Sequence, residues 1–280
     1  MPKIAPAQYK TTIDPVWCPG CGDFGVLNAL CNALSAKDVD PKNLVFVSGI
    51  GCSGRLPPYI KGYGFHTVHG RVLPIATGVK VANPDLTVVA VGGDGDAFAI
   101  GGGHIPHMAR RNPSIVYIVM DNGTYGLTKG QASPTGPLGM KTAASPYGTV
   151  EPPLNPIAMA LGYDISFVAR AYSGKNKELE AIILRAMAHR GFALIDVISP
   201  CITYFNTYKD LPPQLAPIPA DHDVKDRVKA FELALKTDKI YLGVFYEAER
   251  PTFEERIRGV VDQAESSGIP RLDEIFLEFT

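Results

Sequence analysis

Leu86-Thr87-Val88-Val89-Ala90-Val91-Gly92-Gly93-Asp94-Gly95-Asp96 is the stretch that decides the fold. The run Leu86–Val91, rich in β-branched residues, follows the Asn83-Pro84-Asp85 turn and reads as a buried strand running into glycines. Ser114–Met120 reads as a second buried strand, ending in Asp121-Asn122-Gly123. One βαβ unit of roughly 30 residues separates Asp94 from Asn122. Both strands of such a unit point the same way, so both tips reach one edge of the sheet, where open α/β sheets bind ligands.

The same alternation extends in both directions. Val26, Leu27, Leu30, Cys31 and Leu34 are spaced as a helix over about 24–36, and Asn43–Ser48 reads as a strand. A helix is expected over Leu73–Ala82, and the segment 97–111 is helix-like despite three glycines. Residues 127–156, rich in Gly, Pro, Ser and Thr, predict a long ordered loop. Strand Ile165–Ala169, helix 175–190 and strand Ala193–Ile198 resume the pattern; helix 222–236, strand Ile240–Tyr246 and helix 251–266 follow a Pro-rich excursion. The expectation is an α/β protein with a doubly wound parallel sheet. It would divide into a ligand-binding domain over 1–200 and a C-terminal extension over 201–280, packed on the same domain or on a partner.

Composition narrows the function. The 27 Lys and Arg nearly balance the 28 Asp and Glu, so nothing marks a nucleic-acid or anionic-membrane surface. No apolar run approaches the roughly 20 residues of a membrane helix. Met1-Pro2-Lys3-Ile4-Ala5-Pro6 lacks an apolar signal-peptide core. The expectation is a cytoplasmic protein. In a reducing compartment, five cysteines point to metal or redox chemistry rather than to disulfides.

Asp94 and Asn122 would face each other across neighbouring strand tips as hard oxygen donors, suited to a Mg²⁺ ion that also takes phosphate oxygens. The main-chain carbonyl of Thr124 is expected to join them. Gly93 and Gly95 let the backbone approach a pyrophosphate, and the following helix offers N–H groups. Asp-Gly and Asn-Gly also serve as plain turns. A dinucleotide fingerprint fits less well, because Phe98 stands where its third glycine belongs.

Cys31 shares an apolar helix face with Leu27 and Leu34 and is expected in the core. Cys18, Cys21, Cys52 and Cys201 remain. Four thiolates suit structural zinc or a [4Fe–4S] cluster, and spacing alone slightly favours zinc.

Several segments together resemble the β subunit of the 2-oxoacid:ferredoxin oxidoreductases. These are Cys18-Pro19-Gly20-Cys21-Gly22, Gly49-Ile50-Gly51-Cys52, His69-Gly70-Arg71, Gly93-Asp94-Gly95-Asp96, the run from Asp121 to Gln131, and Cys201. The resemblance implies a sheet of the thiamine-diphosphate-binding type. It implies cofactor contacts from Gly49, Ile50, Gly51, Cys52, Ser53, His69, Gly93, Gly95, Asp96, Tyr125, Gly126, Leu127 and Thr128. It also implies a [4Fe–4S] cluster on Cys18, Cys21, Cys52 and Cys201 that accepts electrons from the thiamine intermediate. The implied reaction is oxidative decarboxylation of a 2-oxoacid, with coenzyme A taking the acyl group and ferredoxin the electrons. Thiamine activation needs a glutamate from a pyrimidine-binding domain that these 280 residues do not contain, so a partner α subunit is implied.

Tyr125-Gly126-Leu127-Thr128-Lys129-Gly130-Gln131 is similar to the segment of 2-oxoglutarate-type members. A second substrate carboxylate would need a cation. Arg55 and Lys129, with Leu127 beside them, are the substrate-binding candidates; the other reading is two solvated loop cations. Two alternatives stay open: action on pyruvate or a broad range of 2-oxoacids, and a non-enzymatic zinc-binding assembly subunit.

Overall fold

The apolar runs become strands covered on both faces. The computed structural model describes residues 4–266, 268 and 276–278; the end of the expected 201–280 extension lies outside the described residues. β1 (Leu44–Ser48), β3 (Thr87–Gly93), β4 (Ile115–Asp121), β8 (Phe192–Ile198) and β7 (Phe167–Tyr172) lie side by side in that order, all parallel. β2 (Tyr63–His66) adds in parallel outside β1. Beyond β7 lie β10 (Ile240–Glu247) and then β9 (Leu215–Pro217). β10 runs antiparallel to β7 and β9 runs parallel to β10, so these last two strands depart from the expected parallel sheet. An antiparallel strand at the margin of a parallel sheet is a common solution, because it needs no crossover helix to restore direction.

Successive strand residues feed two cores. Phe46, Val89, Val91, Ile118 and Ile195 face α1 (Asp23–Lys37) and α5 (Asn176–Ala188). Val45, Val47, Val88, Ala90, Val119 and Leu194 face α2 (Val72–Ala82) and α3 (Ile105–Arg111). This is the doubly wound arrangement. Cys31 is 1% exposed among the leucines of α1, where its apolar spacing put it.

Three local features depart from the sequence reading. The segment 97–111 is not one helix: a wide π-type turn (Gly95–Ile100) and a 3₁₀ turn (Gly102–His104) precede α3. β2 escaped notice because all four of its residues are exposed, leaving no burial pattern to read. The loop 127–156 gives way to the short helix α4 (Pro156–Gly162), begun by Pro156 and capped by Asn155, whose side chain accepts the Ala158 N–H. Past residue 200, the helices α6 (Arg227–Ala234) and α7 (Phe253–Ser266) accompany β9 and β10. Among the described residues no helix is long and apolar enough to cross a membrane.

Candidate functional site

A cavity of about 230 Å³ opens where β1, β3 and β4 end. The β1 tip contributes Ile50, Gly51, Cys52 and Ser53; the β3 tip contributes Gly93, Asp94, Gly95 and Asp96. Beyond β4 come Asn122, Thr124, Tyr125, Gly126, Leu127 and Thr128, and His69 completes the wall. Tyr125 belongs to a small hairpin in which β5 (Thr124–Tyr125) pairs antiparallel with β6 (Gln131–Ala132).

Asp94 is 2% exposed and fastens this hairpin. Its Oδ2 accepts the Gly123 N–H at 3.1 Å, the Thr135 hydroxyl at 2.6 Å and the Ser133 hydroxyl at close range. Thr135 Oγ1 also stands 2.7 Å from Asp121 Oδ1. The Thr135 hydroxyl is thus shared between two carboxylates. Burial first, then the charges of Asp94 and Asp196, hold the Asp121 carboxyl well above the usual range. Burial also raises Asp196, against the opposing pull of Arg170, whose Nε donates to Oδ2 at 2.9 Å. Asn122 Oδ1 accepts the Thr124 N–H at 3.0 Å, and the Thr124 carbonyl accepts the Gly126 N–H at 3.1 Å. Each of these oxygens keeps a second lone pair, so the hard donor set fits a cation such as Mg²⁺.

Asp96 ties together two loops that approach from the β1 side. Its Oδ1 accepts the Ile50 N–H at 3.0 Å, the Gly70 N–H at 2.8 Å and the His69 Nδ1–H at 2.8 Å. That bond leaves His69 Nε2 as the other ring nitrogen of a histidine that lines the cavity. Gly49 stands outside the lining, behind Asp96. A β-carbon there would lie 2.0 Å from Asp96 Oδ2, so only glycine permits this approach.

Four cysteines gather beside the same cavity. The Cys21 N–H donates to the Cys18 carbonyl at 2.9 Å just before α1. A β-carbon on Gly126 would lie 3.6 Å from Cys52 Sγ and 3.8 Å from Cys201 Sγ, so the missing side chain leaves space beside both sulfurs. Burial, then the Asp23 charge, raises the Cys21 thiol; burial and the same charge push Cys52 up to about 11. Asp23 itself, 1% exposed, is pushed up to about 6 by burial, opposed by hydrogen bonds from Ser199 and Cys21. As placed, no three His, Cys, Asp or Glu side chains among the described residues stand close enough to hold a metal ion. Four thiols as a donor set nonetheless suit the chemistry of zinc or an iron–sulfur cluster. Trp17 caps this region: its Nε1–H donates to the Cys52 carbonyl at 2.7 Å, and its ring packs edge-on against Phe24 and Tyr59.

The substrate-binding candidates are less tightly placed. Leu127 lines the cavity while 44% exposed; Arg55 and Lys129 are exposed and lie outside the lining. Sequence reading quoted Asp121 within its motif without giving it a role, and missed Ser133, Thr135, Arg170 and Asp196. The last four lie on strands or loops whose meeting depends on the sheet order, and nothing local distinguishes them. Asp121, immediately before Asn122, was the legible one.

Comparison with known proteins agrees with this geometry. Residues 49–197 match the family of thiamine pyrophosphate enzymes, C-terminal TPP-binding domain. Residues 201–262 match the family that describes the C-terminal part of the pyruvate ferredoxin oxidoreductase beta chain. The 2-oxoacid:ferredoxin oxidoreductase 2 subunit beta of Aeropyrum pernix is 43% identical over 269 residues, 91% of this chain and 87% of that protein. A 2-oxoglutarate synthase subunit of Methanothermobacter marburgensis is 38% identical over 254 residues, 89% and 88% of the two chains. Among solved structures, the 2-oxoglutarate:ferredoxin oxidoreductase from Magnetococcus marinus, with 2-oxoglutarate, coenzyme A and succinyl-CoA bound, matches with a TM-score of 0.97 and 41% identity. That match covers 100% of this chain and 97% of the other. These relatives are enzyme subunits, which sets aside the non-enzymatic assembly reading. The strand-tip cavity, the match to a thiamine-binding domain and relatives aligned over nearly the whole chain lead to one conclusion: this chain belongs to the β subunits of the 2-oxoacid:ferredoxin oxidoreductases.

Proposed function

We propose that this chain is the subunit that holds thiamine diphosphate, Mg²⁺ and a [4Fe–4S] cluster in an enzyme that oxidatively decarboxylates 2-oxoglutarate to succinyl-CoA. The observation that carries the reading is that one cavity has Asp94 and Asn122 on one wall and Cys52 on another. Asp94, Asn122 and the Thr124 carbonyl would hold the cation. Gly93 and Gly95 would admit the diphosphate, and His69, fixed by Asp96, would meet it with a polar edge. Cys18, Cys21, Cys52 and Cys201 would hold the cluster.

When bound, thiamine diphosphate supplies the carbanion chemistry and the cluster accepts electrons singly. The chain's own part is placement. The apolar sides of Ile50 and Leu127 limit water at the cavity, and the Tyr125 ring closes it toward Gly95. Arg55 and Lys129 would draw the distal carboxylate of a dicarboxylic substrate. An α subunit, ferredoxin and coenzyme A are the partners this reading requires, in the cytoplasm. The division into 1–200, carrying the site, and 201–280 belongs to the same proposal.

The test is direct. The assembled complex, purified without oxygen, should contain iron, magnesium and thiamine diphosphate, and should reduce ferredoxin with 2-oxoglutarate and coenzyme A. Stoichiometric zinc in place of iron, or a preference for pyruvate, would overturn the corresponding part of the reading.

A further inference from the structure

Ser133 and Thr135 lie outside every motif that marked this site, yet both hydroxyls end on Asp94. Thr135 Oγ1 donates to Oδ2 at 2.6 Å, and Ser133 Oγ donates to the same oxygen. The Gly123 N–H reaches it too, at 3.1 Å. These three hydrogen bonds to the Asp94 side chain all meet Oδ2. Both hydroxyls are separated from Asp94 by about 40 residues of chain, 39 for Ser133 and 41 for Thr135.

The origin of the three donors matters as much as their number. Gly123 directly precedes β5, and Ser133 directly follows β6. Asp94 Oδ2 is therefore a pin through both legs of the β5–β6 hairpin. A further bond closes the same base, from the Ser133 N–H to the Gly123 carbonyl at 3.3 Å. The hairpin carries Tyr125, Gly126, Leu127 and Thr128 along the cavity wall. The carboxylate that would hold the cation thus also holds the segment that would meet the substrate.

We propose that Ser133 and Thr135 are positioning residues for Asp94. By occupying Oδ2 they turn Oδ1 toward the cation, and they make cation binding and hairpin order a single event. This rests on the reading of Asp94 as a ligand of the cation that carries the diphosphate. Hydrogen-bonding partners of metal-ligating carboxylates fix the ligand's orientation, and their removal typically costs about 10–100-fold in metal affinity. Two hydroxyls converging on one carboxylate oxygen are that kind of support. A purely structural role would steady the hairpin and leave the metal affinity unchanged.

The experiment uses the assembled complex, stripped of metal and cofactor. Mg²⁺ binding is titrated calorimetrically at fixed thiamine diphosphate for wild type, Thr135→Val, Thr135→Ser, Ser133→Ala and Asp94→Asn. Hydrogen exchange of residues 124–132 is followed with and without Mg²⁺ and cofactor. Thr135→Val should weaken Mg²⁺ by about 10–100-fold, and Thr135→Ser should restore it. Binding should slow hairpin exchange in wild type and fail to do so in Thr135→Val. Ser133→Ala leaves Thr135 in place and carries the same expectation by itself, should the valine variant misfold. Wild-type Mg²⁺ affinity in folded Thr135→Val or Ser133→Ala overturns the positioning role while leaving Asp94 as a ligand. Unchanged affinity in Asp94→Asn overturns the ligand assignment, and the positioning role with it.

Discussion

The ring of Tyr125 rests on Gly95 so closely that a β-carbon at position 95 would fall 2.1 Å from its Cε1. The hairpin and the β3 tip are thus fitted to each other, and the wall of the cavity is their line of contact. Gly95→Ala should push the ring aside, at a stability cost of about 1–3 kcal/mol for overpacking, and reshape the cavity. Calorimetry should record at least a tenfold loss of thiamine diphosphate affinity, by analogy with the roughly 1.4 kcal/mol that each decade represents. Unaltered affinity would mean that the ring moves away from the cavity.

Cysteine substitutions separate ligands from packing. Replacing Cys18, Cys21, Cys52 or Cys201 by Ala should each abolish iron content in the anaerobically purified complex. Cys31→Ala should keep the iron and lower stability by about 1–2 kcal/mol, the cost of a small cavity among the α1 leucines. Iron lost from Cys31→Ala but kept in Cys201→Ala would show that the ligand set is wrong.

The core position of Cys31 was legible because a helix face is a local pattern. The strand tips were legible too, because an apolar run ending in Gly-Asp-Gly has few uses. What stayed hidden depends on distance along the chain. Thr135 reaches Asp94 from 41 residues further along the chain, and Arg170 reaches Asp196 across two adjacent strands. A hydroxyl in a loop full of Ser and Thr, or an arginine in a strand, carries no mark of its partner until the sheet order is known. The π-type turn at Gly95–Ile100 was hidden for a different reason, since helical periodicity survives one extra residue in a turn.

Substrate preference tests the exposed cations. The kcat/KM for 2-oxoglutarate should fall about 10–150-fold in Arg55→Ala and in Lys129→Ala, the value of a charge-assisted hydrogen bond. The kcat/KM for pyruvate should change little, since pyruvate has no second carboxylate to lose. Equal losses on both substrates would remove the dicarboxylate assignment.

His189 offers a pH handle remote from the cavity. It is buried, with Nε2 2.8 Å from Ser166 Oγ and Nδ1 3.7 Å from Glu247. Burial lowers its pKa below 6.5, and Arg250 adds to this against the pull of Glu247. The unfolded chain therefore binds more protons than the folded one just below pH 6.5, so stability present above that pH is lost on acidification. Urea midpoints measured from about pH 7 to about pH 5 should fall more steeply for wild type than for His189→Gln. Parallel curves would mean that the site protonates without penalty.

The two ends of the sheet carry different burdens. At one end the short β9 finishes the sheet. At the other, β2 presents Tyr63 and Phe65, 58% and 47% exposed, along a backbone ladder with no outer strand among the described residues. Such an edge is a template for whatever extended segment reaches it. For anyone making this chain, the consequence is practical. Expressed by itself it should be limited by self-association more than by instability, and the remedy is to supply its natural companions from the first moment of synthesis. A lysine placed at Tyr63 or Phe65 would serve the same end for a chain meant to be handled alone.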